Sequence, residues 1–314
     1  MYSPYLFARA AELLSLREIV DESVNINGLL PILEPVNANT DSLIKCLNAW
    51  NGDVVVIVNP YQNDYSSPSN TTKLNQDLQP IISSKSNIII GLLVRSGTTV
   101  PYLSQKIHSI AGSRIALLYD NASLSDADMN ILASNSAVTY HIIINNSVPI
   151  HQHQYLPISK IIMVNNSFRK LTKNADYSGS EFFTNGHQYI NQSYVGFGDF
   201  TITGGEFETG GGPASAVASH LIYKNLTDNS IWIQHFVSNN TTRGGAPVAT
   251  MFLDVSDQIA NTVPQRIREF GTNIGLDHYI HCSQIRHFPG LAKNKQYQIT
   301  HHICLMLDVL NGRI

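Results

Sequence analysis

Glu34, Asn59, Arg95, Asp120, Asn145, Asn165 and Asp199 each stand at the end of a short apolar run. Carboxylates gathered near an arginine can move a proton, hold a cation through oxygen, or grip and cleave a phosphate. Glu34, Asp120 and Asp199 are therefore the candidates for acid, base or oxygen-ligand roles. Asn59 and Arg95 are the candidates for holding a ligand beside them. The competing reading is that polar residues at such places cap helices and close turns.

A second group lies beyond residue 166. The segment 167–183 (SFRKLTKNADYSGSEFF) holds Arg169, Asp176 and Tyr177, all suited to ligand contact from a rim loop. It is followed by a glycine-rich stretch in which Gly210, Gly211 and Gly212 would let backbone NH groups approach an anion. Glu206 and Glu208 in the same stretch oppose an anion, and neither a Gly-Lys-Ser/Thr nor a GxGxxG pattern is present, so a purely structural loop is the alternative. Among 12 histidines there is no HExxH, and His278 with His281 is an i, i+3 pair lacking a third ligand. No metal site is expected. His220 and His235 fall on the two arms of an expected hairpin, where they can face each other, and His235 is a candidate ligand contact.

The elements that must position these groups are read from hydropathy. Six Val- and Ile-rich runs, residues 29–35, 54–60, 88–95, 115–121, 141–146 and 161–166, recur along the chain. Their length and continuous apolar character predict strands covered on both faces. Residues 7–20, 40–50, 71–83, 100–111 and 124–134 have helical character, with Ser125 and Asp128 spaced as a capping arrangement. Strand–helix alternation forces parallel pairing through right-handed crossovers. The fold class is therefore α/β and TIM-barrel-like, with the polar rim at the carboxyl edge where such folds bind ligands. Residues 216–223 and 231–237 predict a β-hairpin, and with it an irregular barrel closure. Residues 248–270 and 298–310 predict a C-terminal helical cover. One domain, 1–314, is expected, with residues 1–240 as barrel core and 241–314 as cover.

A net charge of −3 and a pI near 6.4, with no basic cluster, exclude a generic electrostatic grip on nucleic acid. The first twenty residues carry Arg9, Glu12, Arg17 and Glu18, which suits an amphipathic helix rather than a signal peptide or membrane span. Three cysteines without CxxC spacing suit reduced thiols. Together these features predict a cytoplasmic protein with no membrane association, and they name no cofactor.

The segments YSPYL, ELLSLRE, ILEPV, VIVNP, NADY, EFF, GFGDF, GGPASAVASHLIY and IQHFVS together resemble a bacterial family near the phage and bacterial "beta protein" families. The resemblance spans nearly the whole chain. It implies a barrel-like fold and a gene often placed beside one for a restriction-endonuclease-like protein. That neighbourhood implies a role in defence or mobile elements, with a nuclease-like protein as partner. Two functions stay open. The first is a non-catalytic recognition or partner protein whose rim binds a nucleotide, a phosphate-containing small ligand or a polypeptide. The second is a barrel hydrolase, a phosphodiesterase in its most concrete form, using Glu34, Asp120 and Asp199 with Arg95 or Arg169 on the phosphate.

Overall fold

Each apolar run folds as a strand because β-branched side chains pack well on a pleated surface that is buried on both faces. The computed structural model describes residues 1–110, 112–209 and 215–314. Strands β1 (Tyr5–Phe7), β2 (Ile32–Glu34), β3 (Val54–Ile57), β4 (Ile88–Val94), β5 (Ile115–Tyr119), β6 (Val138–Ile144) and β7 (Ile161–Asn165) pair in parallel and in sequence order. After β8 (Ser180–Thr184), strand β9 (Gly196–Asp199) returns beside β7 and completes an eight-stranded parallel sheet. The sheet is nearly closed into a barrel by the residues before β1. Ser3 N donates to Phe197 O at 2.8 Å and Phe197 N donates to Met1 O at 3.0 Å. Gly198 permits this approach, since a Cβ there would collide with the Ser3 carbonyl.

Between the strands run α1 (Ala10–Asp21), α2 (Asp41–Ala49), α3 (Pro68–Ser84), α4 (Val100–Ser109) and α5 (Asp126–Ala133). Ser125 and Asp128 form the expected capping box at the start of α5. The barrel packs Leu92, Val94, Leu117 and Tyr119 against Leu103 of α4 and Met129 and Leu132 of α5, all of them buried. Residues 7–9 are not helical as expected. Tyr5–Phe7 is a strand of only three residues, too short to show a period, and its parallel partner β2 decides its conformation.

The hairpin stands apart from the barrel sheet. Strands β10 (Ala218–Lys224) and β11 (Ile231–Val237) pair with β8 in a separate three-stranded antiparallel sheet of order β10–β11–β8. Closure therefore falls to β9 and residues 1–3. Helices α6 (Val248–Thr262), α7 (Ile267–Phe270), α8 (Ile274–Ile285) and α9 (Leu291–Leu310) complete the chain. Leu221 and Phe236 of the hairpin share a buried cluster with Phe252, Val255, Phe270 and Tyr279 of these helices.

The chain divides into two compact units. Met1–Arg9, Asn27–Asn166 and Gly186–Phe200 form the barrel unit, while Ala10–Ile26, Ser167–Asn185 and Thr201–Ile314 form the second. The hairpin thus groups with the C-terminal helices rather than with residues 1–166, and the division does not fall at residue 240. Cys46, Cys282 and Cys304 are buried and form no disulfide among the described residues. Among the described residues no helix is long and apolar enough to cross a membrane.

Candidate functional site at the barrel mouth

Side-chain alternation decides which strand-end residues face the barrel interior. A Cβ on Gly91 would touch Val55, Ile57 and Leu118, so these positions share the inner face. Counting by twos along β3, β4 and β5 puts Asn59, Arg95 and Asp120 on that face as well. In β2, Ile32 lies opposite Val55, so Glu34, two residues on, is also inward.

The inward set meets at the carboxyl mouth. Tyr5 OH donates to Glu34 Oε2 at 2.6 Å, and Gln62 Nε2 donates to the same oxygen at 3.2 Å. Tyr61 OH donates to Asp120 Oδ2 at 3.2 Å, and the Arg95 guanidinium lies over the Tyr61 ring, 3.3 Å from its centroid. Glu34 is fully buried and its Oε1 has no hydrogen-bond partner among the described residues. Burial pushes the Glu34 carboxyl up to about 7; the Tyr5 and Gln62 hydrogen bonds oppose the rise, Asp120 adds to it and Arg95 opposes it. Burial, with help from Asp120 and Glu34, pushes the Tyr61 phenol up to about 12.

Arg95 is exposed and, among the described residues, its guanidinium makes no ion pair or hydrogen bond. It borders an open pocket of about 490 Å³ whose wall also includes Asn59, Ser96, Thr98, Thr99 and Tyr102. The loop after β4 shapes this pocket. Arg95 N donates to Thr98 Oγ1 at 3.0 Å, and Thr99 caps α4 by accepting from Tyr102 N at 3.4 Å. Both hydroxyls keep their own protons to donate. The side chain of Asn59, by contrast, is consumed structurally, donating to Leu93 O at 2.9 Å and accepting from Leu93 N at 2.8 Å.

Asp199 does not join this set. Gly198 faces Val164 on the inner side, so Asp199 projects from the opposite face, where it accepts from Tyr2 OH at 3.0 Å in full burial. Asn165, its register partner, shares that outer face. Asn145 accepts from Asn166 N at 2.7 Å and closes a turn with positive φ.

Arg169, Asp176, Tyr177 and His235 lie in the second unit. Arg169 Nη1 reaches Glu181 Oε2 at 3.6 Å, and Tyr177 OH accepts from Leu171 N at 2.7 Å. The Tyr177 ring packs against His220 and His235, with centroids 4.4 and 4.9 Å away. Asp176 is exposed in a short 3₁₀ turn. Gly210, Gly211 and Gly212 lie outside the described residues. No group of three or more His, Cys, Asp or Glu placed to hold a metal ion occurs among the described residues.

Strand-end reasoning found Glu34, Arg95 and Asp120 but missed Tyr5, Tyr61 and Gln62. The signal for the last two was the sequence VNPYQ, in which an aromatic and an amide follow directly on a strand end. No family model and no functionally curated protein matches the chain.

Proposed function

We propose that the carboxyl mouth of the barrel recognises a small ligand through an oxyanion, a phosphate in the first instance, and that recognition rather than turnover is its task. The observation that carries this reading is Arg95: exposed, with no ion pair among the described residues, and lying over the Tyr61 ring beside a hydroxyl-walled pocket. A guanidinium stacked on a ring keeps its N–H edges for an anion and loses little side-chain freedom on binding. The reading carries the protein to a cytoplasmic setting, where its three cysteine thiols stay reduced. Through the family resemblance it extends to a defence role, with a nuclease-like protein as partner and the ligand as signal.

Glu34 favours a second reading, the phosphodiesterase. A carboxyl that titrates near neutrality beside a second carboxyl and an arginine suits general acid–base work. Its zero exposure weighs against this role, because a catalytic acid must reach the reacting atom.

Titration of inorganic phosphate, followed by calorimetry and by thermal unfolding, tests the first reading. Phosphate at 100 times its dissociation constant adds about 2.7 kcal/mol of stability. Arg95→Ala is expected to abolish this gain, while Lys45→Ala, which removes the same charge from an exposed position of α2, retains it. Equal stabilisation of wild type and Arg95→Ala refutes the proposal. Turnover of chromogenic phosphodiesters that disappears in both Glu34→Gln and Asp120→Asn would move the assignment to the hydrolase. Co-purification with the product of the neighbouring gene tests the partner.

A further inference from the structure

The pocket beside Arg95 is larger than a phosphate. Its volume of about 490 Å³ would hold roughly 16 waters at ~30 Å³ each, and a phosphate, with five heavy atoms, displaces only a few of them. Volumes of that order enclose organic ligands. The wall is also of one sign: it includes Arg95 but no Asp or Glu, in a chain whose net charge is −3. Tyr102 completes this wall from the first turn of α4 and is 45% exposed. Its neighbour Leu103 is the residue that packs on the barrel, so the Tyr102 ring lies off the packing face of the helix. The Lys106 ammonium stands over one face of the ring, 5.7 Å from its centroid, and makes no ion pair among the described residues. Local bonds tie Tyr102 to Arg95. Arg95 N donates to Thr98 Oγ1 at 3.0 Å, Thr98 N to Arg95 O at 2.9 Å, and Tyr102 N to Thr99 Oγ1 at 3.4 Å.

We propose that, given recognition of phosphate by Arg95, the ligand is a nucleotide whose phosphate meets the Arg95 guanidinium and the hydroxyls of Ser96 and Thr98 and whose base stacks on the Tyr102 ring. Thr98 Oγ1 already accepts from Arg95 N, so its own proton is left to donate. The Ser96 hydroxyl makes no hydrogen bond among the described residues and supplies a second donor. A sugar phosphate would satisfy these three groups as well, but it would leave the ring in water. Covering the ring is what the base adds, and any base can do so because each presents a π-face. Lys106, one turn beyond Tyr102, holds a second positive charge beside the stacked base. The bonds within residues 95–102 fix the backbone that carries both contacts before the ligand arrives, which lowers the ordering cost of binding.

Calorimetric titration of the full chain with inorganic phosphate, ribose 5-phosphate and the 5′-monophosphates of adenosine, guanosine, cytidine and uridine tests this assignment. Each nucleotide is expected to bind about 5- to 150-fold more tightly than ribose 5-phosphate, the range that stacking one base on one aromatic ring supplies. Tyr102→Ala, at an exposed helical position that alanine suits, is expected to erase that difference, whereas Tyr102→Phe keeps the ring and preserves it. In NMR spectra, upfield ring-current shifts of the base protons are expected with wild type and are absent with Tyr102→Ala. An unchanged affinity ratio in Tyr102→Ala overturns the proposal. Ribose 5-phosphate binding as tightly as all four nucleotides also overturns it, and leaves recognition of phosphate by Arg95 standing. Binding of none of the probes, inorganic phosphate included, overturns both.

Discussion

At Glu34 a carboxyl group has lost its hydration and gained, among the described residues, two hydrogen bonds, both on one oxygen. Its folded value near 7 lies above the 4.5 of the free side chain, so the folded state holds the proton more tightly than the unfolded state does. Stability from this group is present at low pH and lost as pH rises from 4.5 through 7. Glu34→Gln, which cannot ionise, is therefore expected to be more stable than wild type at pH 8 by about 3 kcal/mol, with the difference falling below about 1 kcal/mol near pH 5. Urea unfolding at the two pH values checks this, and a variant less stable at both would contradict it. Glu34 and Arg95 were legible in the sequence because a polar residue ending an apolar run is conspicuous. Their partners were not. Tyr5 sits in a strand too short for periodicity, and Tyr61 and Gln62 become neighbours of Asp120 and Glu34 only through the path of the loop after β3.

Elements, rather than residues, decide which candidates can cooperate. Seven strand-end positions looked equivalent by spacing, yet a strand turns successive side chains to opposite faces. Asp199 is one residue out of phase with the inner face and is spent on Tyr2. The same alternation explains Gly198, whose missing side chain lets residues 1–3 close on β9. Gly198→Ala is expected to cost at least about 1–3 kcal/mol, because the colliding atom is backbone and cannot rotate aside. Thermal unfolding measures the loss, and hydrogen exchange in β9 locates it. A variant with wild-type stability and wild-type protection in β9 would show that the closure does not depend on this approach. Helices were easier to read than closure: the capping box at Ser125 is local chemistry, whereas residues 1–3 and β9 meet across nearly the whole barrel sequence.

Across the whole molecule, buried histidines govern the response to acid. His141, in the barrel unit, is held at about 4 by burial and by Lys160, and His301, on α9, at about 3 by burial. Both values lie below the unfolded 6.5, so the unfolded chain binds more protons and stability drains as pH falls through that range. Each residue removes about 2 kcal/mol between pH 7 and 5, and His220 with His235 acts in the same direction. Glu34 returns about 2 kcal/mol over the same interval, so the histidines prevail. The melting temperature is expected to drop steadily from pH 7 to 5 and to drop less in His141→Gln; a flat profile in wild type would rule this out. Where the second unit draws its parts was hidden from the sequence, because α1, residues 167–185 and the C-terminal helices are distant along the chain and group only once folded. The sequence by itself determined the parallel α/β repeat, the carboxyl-edge rim and the buried C-terminal helix, since those follow from local hydropathy and from the handedness of strand–helix connections. Only the tertiary structure decided the membership of the mouth and the exclusion of Asp199. Those depend on register and on closure between segments far apart in the chain, which no local pattern encodes.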